Sequence, residues 1–213
     1  VRYSIRFTML IAIPSTVGLC ALADPICRML FPGKHVAMLI MLTRIGSLAV
    51  AFYSLSTISN AILQGLGHLN VPLVNALISL VFHVVCLLLL LMTGMGVYAV
   101  VISNILFAFM MCFLNQLAIR KHVRFSQGVA KTYVMPTIAS VVMGIVAFAI
   151  STGVRMVLPE AEKYSRIGSV LMVVPAVIVA IVLYFGMLLA MHAFTREDLD
   201  HMPMGGRLKR FVS

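Results

Sequence analysis

Six apolar stretches limit what this chain can become. Each outruns the roughly 18 residues that suggest a membrane crossing. They fall at 5–23, 36–63, 72–92, 97–118, 133–154 and 167–192. None alternates polar and apolar residues in the ~10-residue rhythm of a membrane barrel strand. The expected class is therefore all-α: a polytopic membrane protein with six transmembrane helices in 1–192 and a polar tail at 193–213. Composition leaves no soluble alternative. Charged residues make up 10% of the chain and hydrophobic ones 62%, whereas a soluble domain carries about 25% charged residues.

The net charge of +10 invites a nucleic-acid reading, which the distribution of the charge opposes. Lys and Arg lie mainly in loops and tails, with little aromatic interleaving. They read as topology signals and contacts to lipid headgroups. Six crossings put both ends on one side. With the ends inside, Arg2 and Arg6, read as flanking the start of the first span, the 120–131 loop and the tail give ten inner cations. Arg28, Lys34, Arg155, Lys163 and Arg166 give five outer ones. Both termini of the segment, and the turn near residue 65, are expected to be cytoplasmic. The chain opens on Val1 and reads as part of a longer protein.

Several local features refine the spans. Pro14 and Pro175 sit within spans and should bend them, as membrane helices allow when neighbours satisfy the freed carbonyl. Asp24-Pro25 is expected to open a loop. The second stretch would be about 42 Å long as one helix, so it should tilt or protrude. On a helical wheel Thr43, Ser47, Ala51, Ser54, Ala61 and Gly65 share a face, which reads as a small-residue packing face. In the fifth stretch Thr137, Ser140, Gly144, Ala147 and Ser151 form another. Asn75, Ser79, Phe82 and Cys86 share a face of the third, with His83 at its margin. Asn104 and Asn115 share one in the fourth.

Enzyme signatures are absent. The chain has no phosphate-binding lysine loop, no His-Glu-x-x-His, no Gly-x-Ser-x-Gly and no paired cysteines. No cofactor or metal site is expected, since Cys20, Cys27, Cys86 and Cys112 lack metal-ligand spacing. Arg44 is the full charge placed within a span, where it costs roughly 2.5–3.5 kcal/mol at the bilayer centre. It can pair with an anionic group in a central cavity through its bidentate fork, or snorkel to headgroups. His83 can sense protons or bind substrate, or be a satisfied interior histidine. Asn60, Asn75, Asn104 and Asn115 can line a wet path, or join helices by hydrogen bonds. Arg44, Asn60, Asn75, His83 and Asn104 are the substrate-path candidates.

The turn Gln64-Gly65-Leu66-Gly67, followed by Pro72 and Asn75, resembles the multidrug/oligosaccharidyl-lipid/polysaccharide flippase superfamily, and within it the polysaccharide-biosynthesis and stage V sporulation protein B branch. Two more patches carry the resemblance: Thr195-Arg196-Glu197-Asp198-Leu199 with Met202-Pro203 and Gly205-Gly206-Arg207-Leu208, and Ile13-Pro14 with Gly18-Leu19, Pro25-Ile26 and Leu30-Phe31. Gln64, Gly65, Gly67 and Pro72 form its motif turn. His68 stands where the resemblance implies Lys or Arg.

The resemblance implies the C-terminal portion of a fourteen-helix flippase-type fold in a bacterial cytoplasmic membrane. The last two spans would be an extra pair, which forms a lipid-tail groove in the lipid II flippases of the superfamily. It implies a non-enzymatic transporter that moves a lipid-linked oligosaccharide or peptidoglycan precursor by alternating access. Its partners would be the lipid-linked saccharide, membrane lipids and the missing N-terminal helices. Two other readings remain at this stage: a cation-coupled multidrug exporter, and a non-transporting scaffold in cell-wall or spore assembly.

Overall fold

Helix α1 (Arg2–Ala21) lies in the middle of a row of packed helices. The computed structural model describes residues 1–31, 35–122, 130–157 and 167–191. After α1 come α2 (Ala23–Leu30), α3 (Val36–Gly46), α4 (Leu48–Gly65), α5 (Asn70–Met92) and α6 (Val97–His122). A π-helical turn (Ala130–Val134) leads into α7 (Met135–Val157), and α8 (Ile167–Ala190) follows. The described residues contain no strand. Five helices are long and apolar enough to cross a membrane, and there are up to six if α3 and α4 count as one bent span. The all-helical, polytopic membrane class read from the sequence holds. The expected tail at 193–213 lies outside the described residues.

Packing runs in the order α5, α6, α4, α1, α7, α8. On one side of α1, Ile5, Met9 and Ala12 pack with Leu55 of α4 and Cys112 of α6. On the other, Leu22 joins Ala139, Met143 and Ala147 of α7 and Ala176, Ala180, Tyr184 and Leu188 of α8. Small residues let these backbones approach, the usual basis of helix association in lipid. Ser140, Gly144, Ala147 and Ser151 are buried along α7, while Thr137 is exposed. A Cβ added at Gly144 would sit 2.5 Å from Cγ1 of Val17. The outer faces of α5 and α8 carry exposed Leu, Val and Ile, as a surface solvated by lipid tails requires.

Four expectations need correction. Asp24-Pro25 does not open a loop; it lies in the first turn of α2. Proline is tolerated there because that N–H has no helical partner. Asp24 suits the positive helix start and accepts from Arg28 Nε at 3.0 Å. Second, the 36–63 stretch is not one continuous helix, because α3 and α4 meet at a 40° bend. Third, the small-residue face of that stretch is not a packing face along α4. Ser54 is half-buried and Ala61 and Gly65 are exposed, while Ala49, Leu55, Ser56, Ser59 and Leu63 are buried. Fourth, Arg6 does not flank the first span. It lies inside α1 at 4% exposure.

Two contacts link helix ends. Asp24 Oδ2 lies 3.5 Å from Arg155 Nη1, which joins the start of α2 to the end of α7. The rings of His68 and His122 lie 4.0 Å apart, which joins the α4–α5 turn to the end of α6. Each contact brings together two loops expected on the same side.

Candidate functional site

The 40° bend between α3 and α4 falls at Gly46-Ser47. Sharp bends commonly occur at Gly/Ser pairs. Ser47 is buried, and its hydroxyl donates to the Arg44 carbonyl at 2.7 Å. That bond supplies a local partner where the helix changes direction. Arg44 occupies the last turn of α3 and its side chain is exposed. The negative pole of a helix end favours a cation there. Cys27 Sγ lies 3.2 Å from Thr43 Oγ1 and ties α2 to the same turn.

Farther along α4, an open groove of about 400 Å³ runs between α4 and α1. Thr8, Tyr53, Ser54, Thr57, Ile58 and Ala61 line it. The small residues expected to pack a neighbour here leave space instead. Tyr53 donates to Asn104 Oδ1 at 2.6 Å, which extends the polar wall onto α6. Thr57 donates back to the Tyr53 carbonyl at 2.8 Å. The groove's walls carry four hydroxyls on an otherwise apolar surface and no carboxylate, and the Asn104 amide lies beside it on Tyr53. It can hydrogen-bond a neutral, hydroxyl-rich group. Arg44, at the bend before it, can hold an anion through a two-pronged contact.

The substrate-path candidates divide between two environments. Arg44 and Asn104 are exposed. Asn60, Asn75 and His83 are turned into the interface of α4, α5 and α6. Asn115, fully buried, is the hub of that interface. Its amide nitrogen donates to Asn60 Oδ1 at 2.7 Å and to Ser56 Oγ at 3.1 Å. Its oxygen accepts from Asn75 at 2.9 Å. Gln116 donates to Ser59 at 3.1 Å beside it. His83 Nδ1 lies 3.0 Å from the Ser103 carbonyl, and its ring meets Phe107 edge-on at 5.6 Å. The interhelical alternative accounts for these three residues as placed.

The motif turn has a backbone explanation. Gly67 takes φ +81°. Its N–H donates to the Gln64 carbonyl, and that of His68 to the Leu63 carbonyl, both at 3.0 Å. This is a Schellman cap, whose left-handed position favours glycine. Gly65 ends α4, and Pro72 is buried in the first turn of α5. The turn closes a helical hairpin and has no geometry for cradling phosphate.

A second, apolar groove of about 360 Å³ lies between α1, α7 and α8. Pro14, Gly18, Met143, Ala147, Tyr184 and Phe185 are among its walls. Sequence reasoning missed Thr8, Tyr53 and Thr57 as groove residues. Tyr53 and Thr57 lie four apart on α4, so their shared face was available as a signal. Thr8 could be added only by knowing that α1 packs on α4. Among the described residues, no group of three or more His, Cys, Asp or Glu could hold a metal.

A family model described as "Lipid II flippase MurJ" matches residues 1–158. Those residues include both walls of the polar groove and the bend; α8 lies beyond the match. No match to a curated protein or to a solved structure was found.

Proposed function

The chain belongs to the lipid II flippase MurJ family, within the multidrug/oligosaccharidyl-lipid/polysaccharide flippase superfamily, and from that premise we propose that it moves a lipid-linked peptidoglycan precursor across the cytoplasmic membrane by alternating access. The observation that carries the reading is the broken span. An exposed Arg44 at the bend is followed by an open polar groove. Non-helical or broken backbone at membrane depth is tolerated where it lines a cavity, and transporters place substrate sites at interrupted helices.

In this mechanism Arg44 holds the anionic part of the head group. Tyr53, Ser54, Thr57 and Asn104 offer hydrogen bonds to its hydroxyls. Asn60, Asn75 and His83 keep α4, α5 and α6 together behind that wall, so the helices move as a unit. The lipid tail stays in the bilayer or in the apolar groove of α1, α7 and α8. Helices upstream of this segment supply the opposing lobe. Both ends of the segment face the cytoplasm, which the arrangement of Lys and Arg supports.

The test is translocation of labelled lipid-linked precursor by the intact protein in vesicles. Wild type should translocate. Arg44→Ala should lose most of the rate, and Arg44→Lys should recover part of it, because lysine keeps the charge but not the fork. Full activity in Arg44→Ala would remove Arg44 from the path. An inactive wild type would remove this substrate.

A further inference from the structure

We propose that Tyr184 of α8 is a positioning residue: it replaces the donor that Pro14 removes from α1 and so sets the angle α1 takes at Pro14. Proline has no N–H, so the Leu10 carbonyl loses its helical donor. An unpaired carbonyl is costly where water is excluded. Tyr184 supplies the missing donor: its hydroxyl donates to the Leu10 carbonyl at 2.7 Å, from 174 residues away in the chain. The side chain is 3% exposed, and its ring lines the apolar groove together with Pro14.

The next two carbonyls have side-chain donors too. Ser15 donates to Ile11 at 2.7 Å and Thr16 to Ala12 at 2.9 Å. Such bonds back to the preceding turn loosen and bend helices. Leu10, Ile11 and Ala12 thus form a run of carbonyls that each accept a hydroxyl. At Leu10 the donor comes from another helix.

The location gives the bond a consequence. Before Pro14, Thr8 is a wall of the groove on α4. After it, α1 packs on α7, with Gly18 3.7 Å from Met143 by its added Cβ. Tyr184 therefore ties the angle between these halves of α1 to the position of α8. Through that angle it adjusts the width of the polar groove. The transport consequence rests on the function proposed above; the bond from Tyr184 to Leu10 does not.

The experiment is a double-mutant cycle in the intact protein. Tyr184→Phe removes the hydroxyl and keeps the ring, while Pro14→Ala restores an N–H for Leu10. Translocation is read in vesicles. The angle is read separately, as the distance between spin labels at Phe7 and Ile178, both exposed, with the native cysteines replaced. Tyr184→Phe should slow translocation roughly threefold to tenfold, the range expected of one interhelical bond, and shift the label distance. With Pro14→Ala present, the same change should do neither. If Pro14→Ala does not fold, Pro14→Leu restores the same N–H. Equal effects of Tyr184→Phe in both backgrounds, or no distance change with Pro14 in place, would overturn the proposal. Should wild type fail to translocate the precursor, the distance cycle still decides the role of Tyr184.

Discussion

Asn115 sits at 0% exposure with both its donors and its acceptor engaged by three partners on two other helices. Removing its amide leaves Asn60, Asn75 and Ser56 without that partner inside the bundle. Asn115→Ala should therefore destabilise the protein by about 1–2 kcal/mol, allowing for the modest worth of single bonds in membranes. Asn60→Ala removes one bond and should cost less. Reversible unfolding in detergent measures both, and a larger loss for Asn60→Ala would contradict the hub. The sequence marked four asparagines as unusual but could not rank them. A wheel places a residue on a face; which faces meet depends on neighbouring helices. From the sequence, Asn60 and Asn115 are therefore equally able to line a path or to join helices, and the groove residue Tyr53 carries no signal of its own.

At the level of elements, the spans were legible because lipid demands long apolar helices whatever the tertiary packing. The break in the second stretch was not. Its total length is enough for one tilted helix, and Gly46-Ser47 is a weak signal beside many apolar neighbours. Helix α2 was hidden for a similar reason, since Asp24-Pro25 reads as a loop opening until it is seen that proline can occupy a first turn. The close approach of α7 to α1 was half legible. Ser140, Gly144 and Ala147 marked the face, but its partner, Val17, comes from over a hundred residues away. Val17 is β-branched and stiff in a helix, so it cannot easily turn aside for a new methyl group. Gly144→Ala should cost about 1–3 kcal/mol through overpacking. Val17→Ala should recover much of that loss in the double variant. Additive losses in detergent unfolding would place the strain elsewhere.

For the whole molecule, α1 is shared by two grooves, one bearing hydroxyls and one almost wholly apolar. The polar groove lies toward α4 and the apolar groove toward α7 and α8. A lipid-linked saccharide has the same division, with a polar head and an apolar tail. The row of helices also brings loops distant in sequence together at its ends. Asp24 and Arg155 meet at one end, so cysteines placed at these two positions should be bridged by a short bifunctional thiol reagent, whose spacer covers the length of the arginine side chain. Thiol reagents that cannot cross the membrane should reach both from a single side. Labelling from opposite sides would break the six-crossing topology. The family could be read from short patches, and the match over residues 1–158 agrees with that reading. The groove could not, because it is built by α1 and α4, whose pairing no local pattern states.

The central claim is that the polar face of α4 lines the path of the head group. Cysteine accessibility tests it most directly. In the intact protein with its native cysteines replaced, Ser54→Cys and Thr57→Cys are treated with an impermeant thiol reagent from each side, with and without lipid-linked precursor. Ile138→Cys, on the exposed apolar face of α7, serves as the lipid-facing control. The account predicts that positions 54 and 57 react, that the reactive side changes when the transporter changes state, and that precursor protects them, while position 138 stays unreactive. Labelling at 54 and 57 no greater than at 138, or unaffected by precursor, would contradict it.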